Sequence, residues 1–314
     1  MAILSSPIRL VVDRALDRHN VPEWARPYIY KYAKRNKLSA IKFAISLVDT
    51  GRKKGEVAKD HVRLPNGVRL RIGTVIRLLN VFFHGEEEIA GIEEWWAANH
   101  TIGNPEYEAR FADLAISDRK HARAVRNLIE GLNGSISDRE DSIEQLFGRI
   151  RRIEAWEERV VASGLILDYS LMRSLGPVFF RSFYPTAPEF MRNFGKAFTG
   201  KRKPARWDTI EAERLIKSGG ISHERAMALS RELLVLVYGA IDANMSIARE
   251  MGMEEEIGLL KEIAIAYPLN RMRELGVAVD IERETEGIIR LARAGEAKRT
   301  AGRPFGGKTA IGYK

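Results

Sequence analysis

Apolar positions along this chain recur at helical spacing almost from end to end. In residues 7–18, Ile8, Val11, Val12, Ala15 and Leu16 share one face. Pro22 opens a second helix that runs to about Arg35, and Ser39 to Val48 reads as a third, closed by Gly51. The pattern then changes. Asn66–Gly67, flanked by Val62, Leu64, Val68 and Leu70, predicts a small β-hairpin. Helical periodicity returns with Thr74 as cap and continues to about Asn99. Asn104–Pro105 starts the next helix, which ends at Asn133–Gly134 in the manner of a left-handed C-cap. Ser137-x-x-Glu140 reads as a capping box for a third long helix through Ile153 to Leu175. Four prolines make 176–207 irregular. Helices then start at Asp208 and at Ser222, the latter reaching Met251, and two more occupy 253–266 and 280–294.

The fold class expected is therefore all-α, with long helices joined by short turns in an antiparallel bundle. The expected organisation is a basic helical region over 1–73, a bundle over 74–252 with an irregular insertion at 176–221, C-terminal helices over 253–295 and a basic tail over 296–314.

Composition narrows the chemistry. There is no cysteine in 314 residues, which excludes disulfides, thiolate metal sites and a cysteine nucleophile. No apolar run approaches the ~18 residues a spanning helix needs, and the N-terminus meets charge too early for a signal peptide. The expected compartment is the cytoplasm, with no membrane partner. A single glutamine, Gln145, with 30% charged residues points towards a thermophile.

The formal charge of +9 is unevenly placed. Residues 1–75 carry 16 Lys/Arg against 6 Asp/Glu, and 296–314 carry 5 against 1, so the body between is mildly acidic. Arg52, Lys53 and Lys54, the aromatic-basic run from Tyr28 to Arg35, and Arg69 and Arg71 on the hairpin are nucleic-acid candidates. Docking of this basic region on the acidic body is the competing reading, and a homo-oligomer stays open. Gly302 to Thr309 spells a P-loop, but too few residues follow it to form the helix that motif requires, so the match is rejected.

The body carries a second pattern. His84, Glu87 and Glu88 lie on its first helix, Asp118-x-x-His121 on its second, and Glu157 and Glu158 on its third. The i, i+3 spacing puts carboxylate and imidazole on one face. Residues 105–132, PEYEARFADLAISDRKHARAVRNLIEGL, resemble the second helix of the ferritin-like superfamily of diiron-carboxylate proteins, and the resemblance extends over about 76–250. It implies a four-helix bundle holding iron or manganese, as one ion or two, and oxidoreductase chemistry. The ligands it implies are Glu88, Asp118, His121 and Glu158, with His84, Glu87, Glu157, Glu232 and Asp242 as alternates. Asp118 stands where the family has Glu, and the helix after Ser222 has no Glu-x-x-His. A dinuclear site, a single-ion site and a metal-free bundle all stay open, as do the substrate and whether the protein is an enzyme.

Overall fold

The computed structural model describes Asp13 and residues 60–64, 67–99, 105–172 and 207–301. The helices expected before residue 50, Arg52 to Lys54, most of the irregular insertion and the tail from 302 lie outside the described residues.

The described chain is all-α apart from one hairpin. Strands β1 (His61–Arg63) and β2 (Arg69–Arg71) pair antiparallel, with Val62 opposite Leu70. Gly67, at φ 89°, takes the left-handed position that lets the chain return. Strand β2 runs straight into α1 (Ile72–Ala98), followed by α2 (Pro105–Gly131) and α3 (Asp141–Arg151). Next come α4 (Trp156–Val161) and a wide π-helical stretch, Ala162–Met172. After the insertion come α5 (Trp207–Ser218), α6 (His223–Ala243), α7 (Met245–Glu250), α8 (Glu254–Glu274) and α9 (Ile281–Ala301). No helix among the described residues is long and apolar enough to cross a membrane.

Several helix ends form as their sequences predict. Asn133 sits at φ 56°, its N–H donating to Glu130 O while that of Gly134 donates to Ile129 O, a Schellman closure of α2. The Ser222 hydroxyl accepts from the Arg225 N–H at 3.2 Å and caps α6. Other expected ends differ, among them that of the helix from Ser222, which stops at Ala243 rather than Met251. Thr74 does not cap α1; its hydroxyl donates to Glu250 of α7, and the cap position lies three residues earlier, at Arg71, with the Ile72 N–H bonded to Asp60 O. The Ser137 capping box does not form. Asn80 and His84 of α1 hold Ser137 by its amide and its carbonyl, so α3 starts at Asp141. Helix α8 passes through Pro268, where a stop was expected at 266. Leu269, Met272 and Leu275 beyond the proline are buried, and their burial outweighs the roughly 3 kcal/mol an interior proline costs.

The largest departure is the third long helix. It breaks at Arg152–Ala155 into α3, α4 and the π-helical stretch. Arg159, only 1% exposed, stabilises the break: its Nε–H donates to the Ile153 carbonyl at 2.8 Å. Its guanidinium lies 5.2 and 5.5 Å from the ring centres of Trp95 and Trp96.

Helices α1 and α2 pack antiparallel. As residue numbers rise along α1 their partners fall along α2: Phe83 with Arg126, Glu86 with His121, Glu87 with Arg119, Trp96 with Phe111. Two apolar clusters form along this pair. The smaller joins the hairpin residues Val62, Leu64 and Leu70 to Val75, Leu79 and Phe83 of α1, Val125 and Ile129 of α2, and Ile247 of α7. The larger joins Ile92, Trp96 and Phe111 to α3 through α9.

Candidate metal centre

Between these two clusters the α1–α2 interface turns polar. On α1, the stripe facing α2 runs Leu79, Phe83, Glu86, Ala90 and Glu93, at steps of three and four residues; all are buried. On α2, Asp118 and His121 interrupt a row formed by Phe111, Ala115, Ala122 and Val125. Opposite one another, Glu86, Asp118 and His121 each offer a ligand atom, and these atoms lie within 4.8 Å of one another. His121 Nδ1 is 3.2 Å from Glu86 Oε2 and 3.3 Å from Asp118 Oδ1. The three residues are 6%, 1% and 4% exposed in chain order, so the group is dry.

The ends of the interface are fixed by other contacts. Arg119, next to Asp118, turns outward and pairs with Glu87 and Glu94 of α1. That guanidinium holds the Glu94 carboxyl below the usual carboxylate range, against a smaller opposing effect of burial. At the far end of α2, the Tyr107 ring packs on Trp156 and Trp207, with centroids 4.7 and 5.2 Å away, and Phe111 meets Trp207 edge-on.

Of the residues expected as ligands, the structure brings Asp118 and His121 together. It places the others elsewhere. Glu88 is buried between Arg139 and Arg151, each 2.6 Å away. Glu158 is bound in a fork by Arg225 at 2.7 and 2.8 Å. Among the alternates, Glu87 pairs with Arg119, Glu232 with Arg149 and Asp242 with Lys261. His84 Nε2 is 2.9 Å from Ser137 O, and Glu157 sits in the first turn of α4. Among the described residues, Glu86, Asp118 and His121 are the one group of three donors that could hold an ion.

Glu86 is not among the ligands expected from sequence, and helix phase explains why. Glu86 and Glu88 are two residues apart, which turns them about 200° from each other around the helix. Glu86 faces α2, whereas Glu88 faces the arginines around α3. Extending the apolar stripe of Leu79, Phe83 and Ala90 selects Glu86; pairing His84 with Glu88 at i, i+4 selects the wrong side. Glu158 is in phase with the other donors only if the third helix is unbroken, and the break at Arg152–Ala155 removes that relationship.

The three donors could hold a metal ion. Two carboxylates and one imidazole suit hard to borderline cations such as Fe(II) and Mn(II). A divalent cation with two carboxylates and a neutral imidazole is also charge-balanced, which matters in so dry a place. No protein-family model matches this chain, and no curated protein matches it.

Proposed function

We propose that the chain is a divergent ferritin-like metal protein holding one iron or manganese ion between α1 and α2. The observation that carries this reading is the convergence of three buried donors, Glu86, Asp118 and His121, within 4.8 Å. The order of the donors supports it too, with a glutamate on one helix and acidic-x-x-His on its antiparallel neighbour. A single ion is favoured over two because Glu88, Glu158, Glu232 and Asp242 are all engaged by arginine or lysine.

Each residue then has a defined part. Glu86 and Asp118 supply the negative charge that draws a cation into the apolar interface. His121 Nδ1 faces Glu86 and Asp118, and to serve as a ligand this nitrogen would have to be free of its proton. Arg119, bridging Glu87 and Glu94, holds the register of the two helices. Iron or manganese held there would supply one-electron redox chemistry and activation of oxygen or peroxide.

The test is elemental analysis of untagged protein, followed by titration of the metal-free chain with Mn(II) and Fe(II) under nitrogen. The expected result is about one ion per chain, lost in His121→Ala and Glu86→Gln, with a melting temperature that rises on loading. Protein that stays metal-free and melts identically with and without Mn(II) would show that the three side chains are an internal ion-pair cluster.

A further inference from the structure

A second surface of the molecule has a different chemistry. The register of the hairpin sets His61 opposite Arg71 and Arg63 opposite Arg69. Residues directly opposite in an antiparallel pair belong to one face, so His61, Arg69 and Arg71 share the face turned away from the core. The alternate residues Val62 and Leu70 are 6% and 1% exposed and point into the smaller apolar cluster. Arg69 and Arg71 are both exposed and about 7 Å apart along the strand.

Among the described residues, Asp60 interacts with Arg69 and Glu250 with Arg71, and each of these acids also has other partners. Asp60 accepts from His61 at 2.7 Å, and Glu250 accepts from Thr74 and Arg77. The same apolar cluster is built from the second half of α2, where no acidic residue occurs between Asp118 and Glu130. Lys120, Arg123 and Arg126 are exposed there. The basic ribbon and the helix that carries this basic row thus both pack on one small core.

We propose that this surface binds the phosphate backbone of nucleic acid, with Arg69 and Arg71 on the hairpin and Lys120 and Arg123 on α2 as the contacts. The outer face of the ribbon carries no apolar residue to enter a lipid surface, whereas a two-stranded ribbon has the dimensions a major groove admits. Binding of this kind reads charge and shape rather than base sequence. It does not depend on the metal centre.

Fluorescence anisotropy of the full chain with a labelled 30-base-pair duplex of random sequence, from 50 to 200 mM KCl, tests it. Four phosphate contacts predict affinity falling on the order of a hundredfold across that range. Arg69→Ala/Arg71→Ala is expected to reduce the slope of log affinity against log salt by about 2, equally for unrelated sequences. Its melting temperature should not change, and Arg69→Lys/Arg71→Lys should retain the binding. Absence of binding at 50 mM KCl overturns the proposal. So does an unchanged slope in the alanine variant, which would assign binding to other basic segments. Hairpin-dependent binding to phosphatidylserine vesicles but not to the duplex overturns it in favour of a membrane.

Discussion

His121 on α2 places its Nδ1 3.2 Å from Glu86 Oε2 on α1, across a buried interface. That relationship separates Glu86 from Glu88, its neighbour two residues on. Glu86→Gln is expected to abolish metal loading and Glu88→Gln to leave it intact. Glu88→Gln weakens the pairing with Arg139 and Arg151 instead, at a cost of about 1 kcal/mol because both arginines are partly exposed. Metal stoichiometry and denaturant midpoints of the two variants, measured side by side, check both halves.

Gly164 gives a prediction opposite in sign to helix propensity. A Cβ at this position would lie 2.2 Å from the backbone carbonyl of Asp208, which cannot swing aside. Gly164→Ala should cost about 3 kcal/mol. Gly258 and Gly287 sit in α8 and α9, where an added Cβ would meet nothing within 4 Å, so alanine there should stabilise by about 0.5–1 kcal/mol each. Urea unfolding of the three single variants decides the matter.

Tyr107 and Glu211 define a window of pH. The Tyr107 hydroxyl donates to Glu211 at 2.6 Å. Arg214 and then Tyr107 hold the Glu211 carboxyl below its ordinary 4.5, with burial opposing; burial and then Glu211 push the Tyr107 phenol above its ordinary 10.0. Stability from the lowered carboxyl is present above 4.5 and is lost as pH falls through the folded-state value. Stability from the raised phenol is present below 10.0 and is lost as pH rises through its folded-state value. Tyr107→Phe should therefore cost about 1–2 kcal/mol at neutral pH. The difference from the parent protein should shrink at both extremes, as chemical denaturation at several pH values would show.

Asn80 is 4% exposed and ties α1 to the connection before α3. Its Nδ2 donates to Ser135 O at 3.3 Å, and its Oδ1 accepts from the Ser137 N–H at 2.9 Å. Asn80→Ala should cost about 2 kcal/mol and speed hydrogen exchange at the Ser137 amide. Exchange at that amide as slow as in the parent protein would refute the anchoring role.

The parts of this fold visible in the sequence are those governed by local rules. Asn133–Gly134 closes α2 and Ser222 opens α6, because the residues that take φ > 0 or cap an amide act on neighbours a few positions away. Asp118 and His121 are visible for a similar reason, since i, i+3 spacing alone puts them on one helix face. What cannot be seen depends on distant partners. Ser137 forms no capping box because Asn80 and His84 reach it from another helix, and the break before Trp156 is sealed by Arg159 from the turn beyond. Glu86 falls between these cases. The run Glu86-Glu87-Glu88 covers most of the helix circumference, and only the phase set by α2 decides which carboxylate faces inward.

The polar layer between the two apolar clusters has a mechanical consequence. Helices α1 and α2 are the long struts common to both clusters, with short α7 as a third link, and the layer crosses the two long struts at one level. Among the described residues no buried side chain belongs to both clusters, and the apolar side chains packed against both are the partly buried Val81 and Met253. Cooperativity between the hairpin end and the rest of the protein then rests on these contacts together with the bonds within the layer. A cation clamped by Glu86, Asp118 and His121 would act as a rivet through both struts and make the two ends melt together.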